Sequence, residues 1–92
     1  MKEYTDLEGK YFDEVLLLVK EENLKQLETW GVQKHSLPMW YLITGEEFGE
    51  VAKSILEEEV LGQRKTEIIQ ECIQTITLLM KIVEMVRNDI ND

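Results

Sequence analysis

Two short acidic runs in this chain have the residue types and spacing to hold a divalent cation. One is Glu46-Glu47-Phe48-Gly49-Glu50 and the other is Glu71-Cys72-Ile73-Gln74. A carboxylate is costly to bury unless it is paired or binds a cation. Both runs lie in apolar surroundings. Glutamates on facing helices therefore imply a hard, oxygen-bound divalent metal, and such ions commonly handle phosphates. At about 100° per residue, Glu46, Glu47 and Glu50 share one helix sector, roughly a third of a turn wide. Glu47 and Glu50 stack on adjacent turns and can share one ion. Glu71 and Gln74 repeat the three-residue step on a second helix, and Lys81 lies further along the same edge. Gly49 costs a helix about 1 kcal/mol against Ala, so its place between the glutamates suggests close approach of a helix or ligand.

Three helices must position these groups. Apolar residues at three- and four-residue steps (Tyr4, Leu7, Tyr11, Val15, Leu18, Val19) predict a first helix over about 7–28, with Gly31 just beyond its end. Ser36 is a candidate N-cap and Pro38 fits only a first turn, which predicts a second helix over 37–61 stopped by Gly62. The third is expected over 66–88. The short Gln63-Arg64-Lys65 connection makes helices two and three antiparallel neighbours, which brings the two acidic runs to similar heights. From Ile68 to Val86 apolar residues surround most of the third helix, so it is expected to be central. Three helices cannot cover it. The expected fold class is all-α, a single domain over 1–92 whose antiparallel hairpins complete a four-helix-type bundle by self-association as a dimer or tetramer.

Composition narrows the functions available. Nineteen acidic against ten basic residues give a net charge of −9, which excludes the basic stripe a nucleic-acid polymer would need. The one cysteine, Cys72, allows no intrachain disulfide and reads as a buried, inert thiol in a reducing, cytoplasmic setting. Met1 to Asp6 lacks the apolar core of a signal peptide. The uncharged run from Cys72 to Met80 is far shorter than the roughly 20 residues that span a bilayer. Met39, Met80 and Met85 read as core filling, Trp40 and Tyr41 as core or subunit contacts, and Glu57-Glu58-Glu59 as a solvated helix surface. His35 and Trp30 have two readings: a nucleobase could stack on the indole and bond to Gln33, or Trp30 anchors the loop while His35 caps the second helix.

The chain resembles a short MazG-like protein of the all-alpha nucleoside triphosphate pyrophosphohydrolase superfamily. The residues that carry the resemblance are Glu46-Glu47-Phe48-Gly49-Glu50 continuing into Val51-Ala52-Lys53, with the lead-in Trp30-Gly31-Val32-Gln33-Lys34-His35 and Trp40-Tyr41-Leu42-Ile43, over about residues 12–86. The family pattern is Glu-Glu-x-x-Glu on one helix and Glu-x-x-Asp on the next. Gln74 stands where the family carries Asp, so its oxygen offers no charge. The resemblance implies magnesium-dependent, or manganese-dependent, hydrolysis of a nucleoside triphosphate to a monophosphate and pyrophosphate. It implies Glu47, Glu50, Glu71 and Gln74 as metal ligands, and Glu46 as a further ligand or the base for water. Lys53 and Lys81, with Arg64 or Lys65, are the cations that could meet phosphate oxygens, while Trp30, Gln33 and His35 could contact the substrate. Two other functions stay open: a catalytically weak nucleotide- or metal-binding homologue, favoured by Gln74, and a small acidic helical module that binds a protein.

Overall fold

The computed structural model describes residues 7 and 9–91. Among them there are three helices and no strand: α1 (Phe12–Trp30), α2 (Leu37–Leu61) and α3 (Lys65–Asn91). They run up, down and up. Residues 18–25 line a cavity with residues 66–73 of α3, and residues 23–27 line another with 81–85, so α1 and α3 run in the same sense. The turn over 62–64 sends α3 back along α2.

Each boundary has a local cause. The Ser36 hydroxyl accepts a hydrogen bond from the Met39 N–H at 3.3 Å, and Pro38 occupies the first turn, so α2 starts where the sequence places it. Gly31 and Gly62 both have positive φ, 70° and 72°, and their N–H groups donate to Leu27 O and Glu58 O. The first helix begins at Phe12 rather than at residue 7. Gly9 adopts φ 73°, and a tight turn over 9–11 breaks the helical path before it. Tyr4 lies outside the described residues. The third helix runs three residues beyond the expected end.

α3 is the centre of the structure. Both α1 and α2 pack on it and, among the described residues, not on one another. Val19, Trp40, Ile73 and Leu78 are the fully buried apolar side chains. Thr44, Thr75 and Thr77 are buried beside them, and each hydroxyl donates to the carbonyl four residues back (Trp40 O at 2.7 Å, Glu71 O at 2.9 Å, Ile73 O at 2.7 Å). Each of these three hydroxyls is thereby satisfied.

Several expectations are corrected here. Met39 is exposed rather than core filling, and Tyr41 is exposed at the rim of a groove with Leu79 and Ile82 of α3, so it is not a core residue of this chain. Of the first helix's expected stripe, Tyr11 and Val15 remain exposed, whereas Val19 is buried on α3. Glu57 and Glu58 are half-buried rather than free in solvent. Glu57 meets Arg64 at 3.6 Å, and the Glu58 carboxylate accepts from the Arg64 N–H. Gly49 is exposed, and a Cβ added there would meet nothing within 4 Å, so no helix of this chain approaches it.

Trp40 is 3% exposed at the α2–α3 contact. Trp40→Ala is expected to destabilise the chain by about 3 kcal/mol or more, measured by urea denaturation.

Candidate functional site

Because α1 and α2 touch α3 but not each other, a cleft opens between them with α3 as its floor. A cavity of about 300 Å³ lies there, lined by Glu22, Gln26 and Trp30 of α1, Gln33 of the loop, Ile43 and Glu47 of α2, and Gln74 and Leu78 of α3. On α2, Glu47 falls on the same side as the buried Trp40 and Ser54, seven residues away in either direction. On α3, Glu71 and Gln74 are one turn apart and half-buried.

The structure brings Glu47, Glu71 and Gln74 together. With its amide nitrogen toward the carboxylates, Gln74 donates to Glu47 Oε2 at 3.2 Å and to Glu71 Oε2 at 3.1 Å. Two acceptors converge on one amide because no positive charge stands between them. Glu47 is held above the ordinary carboxyl range, first by burial, then by repulsion from Glu71 and a hydrogen bond between the two carboxyls, then by Glu50 and Glu22. Glu50 is exposed on the next turn and acts on Glu47 only through its field. Among the described residues no group of three or more His, Cys, Asp or Glu side chains is gathered closely enough to hold a metal ion.

Glu46 is exposed and outside this cluster, about 100° around the helix from Glu47. Lys53 is also exposed, on a side of α2 well away from Glu47. Arg64 and Lys65 lie at the hairpin turn, about 20 Å along α2 from Glu47. Arg64 is occupied by Glu57 and by Glu67 at 2.6 Å, so it is a structural clamp rather than a phosphate contact.

Lys81 does reach the cleft. Its Nζ donates to Gln26 Oε1 at 2.5 Å and sits 5.7 Å from the centre of the Trp40 ring. Burial draws its pKa below the ordinary ammonium value, while Glu22 and Glu84 oppose that shift. Lys81 also borders a second cavity, of about 470 Å³, with His35, Trp40, Asn23 and Glu84. His35 packs edge-on to Trp40 at 4.8 Å, and its buried Nε2 has no hydrogen-bond partner. His35 does not cap α2, since Ser36 does. Trp30 is 68% exposed and borders the carboxylate cleft, so it does not anchor the loop. Gln33 borders both cavities.

Glu22 and Gln26 were not legible as site residues. They sit among other charged and polar residues of α1, and only the packing of α1 on α3 reveals their place. Gln26 Nε2 donates to Glu22 Oε2 at 2.8 Å, the four-residue spacing being the one available signal.

No family model matches the chain, and neither a curated protein nor a solved structure matches it. Among the described residues no helix is long and apolar enough to cross a membrane.

The raised pKa of Glu47 has a sign that can be tested. The folded state holds a proton that the unfolded chain releases near 4.5, so this group's contribution to stability falls as pH rises from 4.5 through the raised value. Glu47→Gln is expected to raise the melting temperature at pH 7 and to flatten the pH dependence of stability above 4.5 relative to the parent. A lower melting temperature at pH 7 in the variant would contradict this.

Proposed function

We propose that the chain is a magnesium- or manganese-dependent nucleoside triphosphate pyrophosphohydrolase of the MazG-like type. The observation that carries the reading is the meeting of Glu47 and Glu71 in a cleft whose own side chains leave their charge uncompensated. The donor set fits a hard cation: carboxylates that repel one another and an amide that can offer oxygen. Glu47 and Glu71 would hold the ion, with Gln74 as a neutral ligand, and Glu50, exposed on the next turn, would have to swing in to complete the set. When bound, the ion would supply positive charge to the triphosphate and acidify a water.

The chain's own groups supply position. Lys81 is the cation placed to meet phosphate oxygens. The neighbouring cavity has the contents a nucleobase needs: the Trp40 and His35 rings for an apolar wall, and His35 Nε2, Asn23 and Gln33 for hydrogen bonds. Gln33, common to both cavities, would sit near the sugar.

A second reading has specific support. Gln74 already gives the two carboxylates amide donors, which partly replaces a cation. A chain that binds nucleotide or metal but turns over weakly fits that arrangement.

Self-association belongs to the same proposal. The outward side of α2 carries Tyr41 (73% exposed), Phe48 (66% exposed), Leu42 and Leu56, with Gly45 and Gly49 in the same stripe. Tyr41, Gly45 and Phe48 border a groove with Leu79 and Ile82 of α3. So much exposed apolar surface around so small a core calls for a covering surface, and a second copy presenting the same stripe supplies one.

Incubation with a panel of nucleoside triphosphates and magnesium is expected to release pyrophosphate. Glu50→Gln and Glu71→Gln are expected to reduce it on the order of 100-fold while circular dichroism stays unchanged. Equal turnover in these variants would remove the metal reading, and no turnover with magnesium-linked stabilisation intact would favour the weak homologue. Light scattering at micromolar concentration is expected to show a dimer or tetramer that Gly49→Leu disperses; a monomeric parent would contradict the assembly.

A further inference from the structure

Lys81, the cation of α3 that reaches Gln26 at the edge of the cleft, is held by a neutral group. Among the described residues Lys81 makes no ion pair, and its Nζ donates instead to Gln26 Oε1. A carboxylate at that position would fix the ammonium but cancel its charge. An amide fixes it and leaves the charge available. The amide is itself oriented. Gln26 Nε2 is taken by Glu22 Oε2 at 2.8 Å, so the oxygen end must face Lys81. Glu22 and Gln26 are one turn apart on α1, while Lys81 is on α3, so the device forms only when those helices pack. Gln26 lines the carboxylate cleft and Lys81 lines the adjoining cavity, which places their hydrogen bond at the junction of the two.

We propose that Gln26 is a positioning residue for anion capture: its amide, aligned by Glu22, holds the Lys81 ammonium where the two cavities meet without pairing it directly to a carboxylate, although Glu22 and Glu84 lie near enough to act on it through their fields, so that it receives the phosphate oxygens of a polyphosphate ligand. This rests on the phosphate-handling reading above and adds α1 to the site. Gln26 touches no phosphate. It removes the freedom of a long, flexible lysine, so less order has to be imposed when the anion arrives.

The test is calorimetric titration with inorganic pyrophosphate, with and without magnesium, and with magnesium alone. Lys81→Met and Gln26→Leu are each expected to weaken pyrophosphate binding about tenfold, the scale of one hydrogen bond to a charged group. Magnesium affinity is expected to stay at the parent value, whereas a merely structural role for Gln26 would lower it together with pyrophosphate affinity. The double variant is expected to bind no worse than Lys81→Met alone, because both changes remove one interaction. Lys81→Arg, which keeps the cation, is expected to retain most of the affinity. Unchanged binding in Gln26→Leu, or losses that add fully in the double variant, would overturn the proposal. Should Gln26→Leu fail to fold, Gln26→Asn keeps the amide but withdraws it from Lys81, with the same expected loss. Pyrophosphate binding that shows the coupling without any magnesium effect would sink the metal reading and keep this one. A parent chain that binds no pyrophosphate would sink both.

Discussion

Repulsion among carboxylates in a half-buried cleft between helices is the constraint on which the rest of the structure turns. Glu47 and Glu71 come from different helices and meet at the α2–α3 contact, where burial and the neighbouring Glu71 charge both penalise ionisation of Glu47. The bundle tolerates the pair through a Glu47 carboxyl that keeps its proton above the ordinary carboxyl range and through the amide of Gln74. Those are two weak remedies for a problem that a divalent cation would solve outright. Core residues that serve only packing would not create such a penalty, because glutamine or leucine would fold equally well there.

The helices that create this meeting point are individually ordinary. What matters is that α1 and α2 both lean on α3 and stay apart from each other. The gap between them is the cleft. A tightly closed three-helix bundle would have buried Glu47 without room for a ligand, and a two-helix hairpin would have left it in water. The thin core is the other side of the same arrangement. With Trp40, Val19, Ile73 and Leu78 as its apolar centre, the chain leaves an apolar stripe on the outside of α2. Site and assembly are therefore linked, since α2 presents Glu47 on one side and the stripe on the opposite one.

Local signals in the sequence marked much of this. Ser36, Pro38 and Gly62 bound α2 because caps and breakers act within a few residues. The apolar wrap of the third helix announced its central place, and the three-residue spacing announced Glu47, Glu71 and Gln74. The remainder depended on tertiary packing. Leu7 is itself helical, but the turn at Gly9 separates it from α1. Arg64 looks like a free cation until the fold of the hairpin returns Glu57 to it. Glu22 and Gln26 belong to the site only through the direction in which α1 crosses α3, which no periodicity encodes. Glu46 shares a sector with Glu50 on a helical wheel, yet the contact with α3 is narrow enough to leave it outside.

Carboxyl-resolved NMR titration of Glu47 reads the central interaction directly. The account predicts a Glu47 carboxyl that titrates above 4.5 without metal and falls when magnesium is added. A Glu47 that titrates at 4.5 and is indifferent to magnesium would contradict it.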